Sequence, residues 1–536
     1  MIFLPETWFM YEPNAKLKSR KSELALADAS TEPLCEATGY TMKVERIEVD
    51  HLHPEMRCGQ QWSALPALDA WYAYHRPLAT VYLFEAQPGV TGLVEKLKKS
   101  LSSTLNHFPQ YAGVLAPRKP QGEQGAPAHD RTSVVWAGDD EPGVEFIEAR
   151  TKSRVRNLLP PSMGDTTPFL WDRSAASLRA LFPGPLGAAS AMRIQITTFG
   201  CGGFSLGIDI DHGLADAHAV GLFMGYWSVT HNQLFHPEQP SVAEMLPEVL
   251  WQPESLQSQV DDVVERKGRS QILQKAGGLP TRRPDYRSVV AQNGVAETGN
   301  GSDALSNVLK QISGVPCLLH VPAYLCDRMV SRIQEAAGDN QITSQVAMMS
   351  FLWRSLNRAR KLRKRTLIEL QIPSSLRYRL GLPAGLLGSP VFVPMVGPEP
   401  NDDKDADTAV LAAEVTDVLA KYDEDGMLAV VYDASLRDSP RALSLPQVEC
   451  MQFTSAALPS SGRLTFGPYS PTFVSPLLPM DNIFVMLGGL EGPGGAGGGG
   501  KWNDAGVDVF FSVPQDVLDT MLMDPALADF EKVLEM

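Results

Sequence analysis

The stretch IDIDHGLADAHAVGLF, residues 208–223, constrains the fold of this chain more than any other, because it joins a strand pattern directly to a helix pattern. Phe204, Leu206, Ile208 and Ile210 alternate with Ser205, Gly207, Asp209 and Asp211, which predicts a strand running up to His212. Beyond it Val220, Phe223 and Trp227 recur at helical spacing. Asp216 stands at the N-cap of that helix, where its carboxylate accepts from free first-turn amides and complements the helix dipole. A junction of this kind presents one imidazole, His212, to a cleft.

Context has to carry that reading, since His-x-x-x-Asp arises by chance about half a time in a chain of this composition. The plain alternative is a surface-loop histidine beside an ordinary helix cap. Two rival chemistries use the same strand. Gly203, Phe204, Ser205, Leu206 and Gly207 match G-x-S-x-G, but a nucleophile elbow needs a sharp turn after the serine, and here the strand pattern continues past Ser205. Asp209, Asp211, His212, Asp216 and His218 suggest a metal site, yet strand alternation turns Asp209 and Asp211 away from His212. No metal is expected.

The chain has 536 residues, 44% of them hydrophobic, enough for two or more domains. Its net charge of −15 argues against nucleic-acid binding, which requires clustered Lys and Arg. One basic run, Arg358 to Arg365, closes a predicted helix and reads as a solvated helix end, with a phosphate-bearing ligand as the alternative. Cys35, Cys58, Cys201, Cys317, Cys326 and Cys450 are scattered without zinc-ligand spacing, so reduced thiols are expected. The N-terminus lacks a basic n-region, and no apolar run is long enough to span a bilayer. These features place the protein in the cytoplasm.

The pattern divides the chain into an α/β unit over 1–232, a polar crossover over 233–310 rich in Pro, Gln and Ser, and a second α/β unit over 311–536. Residues 1–40 read as an extended arm or tail. The first unit has a strand near 79–85, a helix marked by Val94, Leu97, Leu101, Leu105 and Phe108, and a strand over 192–198 pairing with 203–210. The second unit opens near Val315. It continues with a helix carrying Val346, Met349, Trp353 and Leu356, a strand over 366–372 and a helix over 409–421. Strands over 483–487 and 507–513 and a helix from Pro514 close it. Between those strands lies the glycine-rich run 488–500, expected to be a flexible hairpin loop. Gly495, Gly500 and Lys501 there approach a phosphate loop, but Trp502 stands where Ser or Thr must reach magnesium.

Several segments, in order, resemble the BAHD acyltransferases of plants and fungi. They are LKKSLSSTLNHFPQYAGVL at 97–115, DHGLAD at 211–216, ITSQVAMMSFLWRSLNRARKL at 342–362, RYRLGLPAGLLGSPVF at 377–392 and GVDVFFSVPQDVLDTMLMDPAL at 506–527. There are departures. Thr465, Phe466, Gly467, Pro468 and Tyr469 stand where the family has D-F-G-W-G, a segment regarded as structural. Thr454, Ser455 and Ala456 replace Thr-Ser-Trp, and Ser389 replaces an asparagine after Gly388.

The resemblance implies two chloramphenicol-acetyltransferase-like domains, each a mixed sheet flanked by helices, with a channel between them. It implies acyl transfer from an acyl-coenzyme A co-substrate to a hydroxyl or amine of a small, secondary-metabolite acceptor, by a monomer of fungal type with no bound cofactor. His212 would act as general base, since a histidine titrates near working pH. Gly213 leaves room for the acceptor, and Thr454 or Ser455 is the candidate oxyanion donor or substrate contact. Asp216 would be structural, paired with Arg377; for Arg377 the alternative is a solvated strand-end charge. A serine hydrolase using Ser205 and a non-catalytic ligand-binding relative are the other readings.

Overall fold

The computed structural model describes residues 42–524 apart from 57–58, 74–76, 89–90, 118–131, 161–168, 173–177, 184–189, 238–245, 282–313, 340, 398–406, 437–449, 457–463, 479–480 and 489–505. The expected arm at the N-terminus and the glycine-rich loop with Gly495, Gly500, Lys501 and Trp502 therefore lie outside the described residues.

Two mixed sheets organise the described chain. The first has six strands in the order Glu45–Leu52, Val144–Thr151, Met192–Phe199, Phe204–Asp211, Pro77–Phe84 and Phe473–Pro476. Its strands are antiparallel except where Val144–Thr151 runs parallel to Met192–Phe199. The alternation read around Ile208 is realised: Phe204, Leu206, Ile208 and Ile210 pack on one face with Leu97, Leu101, Phe223 and Trp227 from the helices Leu93–Thr104 and Ala217–Phe235. The second sheet has seven strands in the order Met395–Val396, Glu369–Gln371, Cys450–Ala456, Ile483–Gly488, Val507–Val513, Val315–Val321 and Phe169–Asp172. The helices Ala323–Ala337, Ser344–Leu362, Thr408–Ala420 and Gln515–Leu522 cover one of its faces. Sheet and helices thus follow the layered rule of one apolar face per element.

The halves exchange strands. Phe169–Asp172 joins the second sheet beside Val315–Val321, with Trp171 opposite Leu318. Phe473–Pro476 closes the first sheet beside Pro77–Phe84, with Phe473 opposite Leu83. A third apolar cluster joins Val81, Leu83 and Phe473 of the first sheet to Leu318 and Phe510 of the second, with Leu181 from the turn Leu178–Leu181 packed among them.

Within the polar stretch expected to link the two units, residues 254–278 form the helices Glu254–Lys267 and Arg269–Gly278. Leu256, Val260, Val263, Ile272 and Ala276 are buried in the core of the second sheet. A narrow apolar stripe suffices there, so the composition stays polar.

The helix end formed by the basic run is exposed from Lys361 to Lys364, as expected, but some of its cations are also engaged. Arg360 is buried and donates to the Thr366 carbonyl at 2.8 Å. Arg365 makes a forked pair with Asp516 at 3.1 and 2.9 Å, and Arg363 donates to Thr520 Oγ1 at 2.6 Å. These contacts dock the closing helix. Among the described residues, Cys201 is an exposed thiol and Cys317, Cys326 and Cys450 are buried thiols, none of them in a disulfide.

The segment around Phe466 locks the start of the swapped strand to the first sheet's helix. Ser228 Oγ donates to the Thr465 carbonyl at 2.7 Å, and Asn232 Oδ1 accepts from Gly467 N at 2.8 Å. The Phe466 ring is fully buried, edge-on to Trp227 at 5.2 Å and to Phe84 at 6.0 Å. Gly467 has φ of +61°, and a Cβ there would collide with the His236 ring. Replacing Phe466 with leucine keeps an apolar group but removes the aromatic geometry. The expected loss is about 1 kcal/mol, read as a lower urea midpoint at unchanged slope.

Candidate active site

The strand Phe204–Asp211 ends one residue before His212, and the helix Ala217–Phe235 begins one residue after Asp216. Asp211 closes the turn between them by accepting from Gly213 N at 2.8 Å, and Asp216 Oδ1 accepts from Ala219 N at 3.0 Å as the N-cap. His212 is half-buried, its ring stacked on Tyr72 with centroids 4.7 Å apart. Its Nδ1 lies 3.1 Å from Ser389 Oγ. With Ser389 as acceptor, Nδ1 carries the proton and Nε2 is left as the basic nitrogen.

Gly213 is buried against Ala73, the residue that ends the helix Ala67–Tyr72: a Cβ at this position would meet the Ala73 backbone at 2.9 Å. Its small size therefore serves packing on the side facing Ala73.

Arg377 lies in the short helix Leu376–Arg379 and is 1% exposed, so it is not a solvated charge. One guanidinium nitrogen bonds Asp216 Oδ2, Nε donates to the Leu386 carbonyl at 2.9 Å, and the third nitrogen donates to the Gly388 carbonyl at 2.8 Å. Asp216 N also donates to the Gly388 carbonyl, at 3.2 Å. The fork therefore holds the His212 turn against the segment carrying Ser389, using three directions that a planar guanidinium supplies.

Behind this segment sits Asp69, from the helix Ala67–Tyr72. It is 2% exposed, and its Oδ1 accepts from Ser389 N at 2.6 Å. Burial pushes its carboxyl up to about 7, against the opposing pull of the Ser389 amide and Arg377. Gly388 adopts φ of +97°, and a side chain there would strike Asp69. Sequence patterning did not single out Asp69 or Tyr72, because a six-residue helix shows too little periodicity. Ser389 was noted only as a substitution.

Thr454 and Ser455 are neighbours on the strand Cys450–Ala456 and so face opposite sides of the sheet. Ser455 Oγ accepts from Gln345 Nε2 at 2.8 Å, on the side of the helix Ser344–Leu362. Thr454 is half-buried and pairs with Val485, which packs into the cluster shared by the two sheets.

Ser205 lies fully buried as the second residue of its strand, opposite Leu83 and Thr197, and the strand runs on to Asp211 where a nucleophile elbow would turn. The acidic and histidine residues weighed as a metal site turn to separate partners: Asp209 to Arg193 at 2.6 Å, Asp216 to Arg377, and His218 Nε2 to the Ala384 carbonyl at 2.6 Å. Among the described residues one carboxylate trio, Glu48, Asp50 and Glu148, lies within common ligand reach, and Lys98 Nζ enters it, 2.6 Å from Asp50 Oδ2.

Two mixed sheets that exchange strands, with an imidazole at the end of a central strand, define an α/β transferase fold. The model of the Transferase family matches residues 42–467. Acyltransferase abl6 of Leptosphaeria maculans is 42% identical over 499 residues, covering 91% of this chain and 99% of the relative. Acyltransferase AFT15-1 of Alternaria alternata is 31% identical, covering 91% and 98%. The solved structure of F. sporotrichioides TRI101 in complex with coenzyme A and T-2 shares the fold at 12% identity and a TM-score of 0.56, over 87% of this chain and 98% of that one. The chain belongs to this family, the BAHD acyltransferases, and is an acyltransferase.

Proposed function

We propose that this enzyme transfers an acyl group from an acyl-coenzyme A thioester to a hydroxyl or amine of a small secondary-metabolite acceptor, with His212 as general base. The observation that carries the reading is the placement of His212: half-buried at a strand end, stacked on Tyr72, with Nδ1 engaged by Ser389. Coenzyme A and a small molecule occupy the related TRI101 structure. In this reading residues 1–232 bring His212 and residues 311–536 bring Arg377, Ser389 and Thr454, across a channel between the sheets.

In this reaction His212 Nε2 takes the acceptor's proton as the acceptor oxygen or nitrogen attacks the thioester carbonyl carbon. The carbonyl electrons move onto oxygen, to which Thr454, whose strand partner Val485 packs in the cluster shared by the two sheets, would donate a hydrogen bond. Collapse of the tetrahedral adduct breaks the C–S bond, and the imidazolium returns the proton to the leaving thiolate. Asp216 and Arg377 hold the turn, and Phe466 and Gly467 hold the helix beneath it. A cytoplasmic monomer fits this reading; no described helix is long and apolar enough to cross a membrane.

The test is release of free thiol from acetyl- and longer acyl-coenzyme A in the presence of alcohol and amine metabolites, for wild type and Ser205→Ala. Acceptor-dependent release is expected, unchanged in the variant. The buried Ser205 hydroxyl meets no hydrogen-bond partner, so the variant is expected to be at least as stable as wild type. Cleavage of simple esters that depends on Ser205, without thioester turnover, would overturn the proposal.

A further inference from the structure

Four buried ionisable groups hold the turn and the segment on either side of His212, and three are carboxyls. Asp69, Asp211 and Asp216 are between 2% and 6% exposed, and Arg377, 1% exposed, is the guanidinium among them. Arg377 is committed to Asp216 and to two carbonyls. Asp69 bonds the backbone of Ser389, whose hydroxyl contacts His212 Nδ1, so one serine separates the carboxylate from the imidazole. The helix that carries Asp69 also carries Tyr72, the ring stacked on His212. One six-residue element therefore touches the imidazole through two routes.

We propose that Asp69 is a positioning residue for acyl transfer: its carboxylate fixes Ser389 against His212 Nδ1 and adds the buried negative charge that stabilises the imidazolium formed when the acceptor is deprotonated. The inference rests on His212 acting as base. Above about pH 7, where Asp69 is ionised, the pocket carries excess negative charge while the imidazole is neutral, and proton uptake by His212 relieves it without any group moving. The Ser389 amide makes the arrangement specific, because Gly388 has no side chain and lets Asp69 approach the backbone. The other titratable groups packed here are Tyr72 on the same helix, Tyr111, Asp211 and Asp216, with the Arg377 charge opposing them. Burial holds the Tyr111 hydroxyl neutral.

Asp69→Asn keeps the shape and the Oδ1 acceptor for Ser389 N while removing the charge. The expected result is a kcat lower by about tenfold, one pKa unit of lost coupling, with KM for acetyl-coenzyme A within about twofold. The acid limb of kcat/KM should move to lower pH, because an imidazole without its carboxylate is less readily protonated. A second measurement needs no variant at Asp69: the ¹⁵N spectrum of histidine-labelled protein, assigned with His212→Ala, should show His212 as the Nδ1–H tautomer. A folded Asp69→Asn enzyme with wild-type kcat and acid limb, or an Nε2–H tautomer, overturns the inference. If His212→Ala itself keeps wild-type turnover, the general-base reading fails instead, so the two failures are distinguishable.

Discussion

Replacing His212 with alanine is expected to lower kcat by about a hundredfold to ten-thousandfold, the range spanned by loss of a positioned general base. KM for acyl-coenzyme A should change little, because the imidazole acts on the acceptor's proton and contributes in the transition state. Neither of the two ionisable side chains flanking it in the same turn and helix is free to substitute among the described contacts. Asp211 is occupied in closing the turn on Gly213 N, and His218 is held by the Ala384 carbonyl. The fold should survive, since His212 is half-buried and lies past the last strand residue. Steady-state thiol release at saturating acceptor is the measurement. Retention of a tenth or more of wild-type turnover, with an unchanged melting curve, would remove His212 from the mechanism.

Arg377→Met is expected to damage both stability and activity. It leaves the Asp216 carboxylate buried without its partner and strips a donor from each of the Leu386 and Gly388 carbonyls. Breaking a buried ion pair from one side costs about 3–5 kcal/mol, much of it the uncompensated charge. The segment bearing Ser389 then loses its tie to the His212 turn, and a displacement of about 1 Å in a reacting group can lower rate about a hundredfold. Arg377→Lys should recover part of the stability and little of the rate, because an ammonium cannot reach three acceptors in fixed directions. Urea unfolding and thiol release on the same samples separate the two effects. Equal stability and rate for Arg377→Met would show the clasp to be idle.

Local pattern carried much of this structure. The strand and helix around His212 were legible because one apolar face alternates at two and the other recurs at helical spacing, and Asp216 caps as its position predicted. The closing strand Val507–Val513 was likewise read at its observed limits. Pairing across distance was not legible. Phe169–Asp172 and Phe473–Pro476 are four residues each, too short to show a period, and nothing local states that each belongs to the other half's sheet. The helices at 254–278 hid behind polar composition because few of their residues are buried. At the site, the Asp216–Arg377 pairing was anticipated by family resemblance, whereas Asp69 reaches the imidazole through a backbone amide 320 residues away. No side-chain pattern encodes such a contact.

The exchanged strands also set an order of events during synthesis. The edge of Pro77–Phe84 stays uncovered until Phe473–Pro476 has left the ribosome, 389 residues after Phe84. At about 5–20 residues per second this is roughly 20–80 seconds. Throughout that interval the nascent chain carries an open, apolar sheet edge of the kind that recruits other strands. The yield of this enzyme in a cell is thus tied to how well that edge is shielded before the chain is finished.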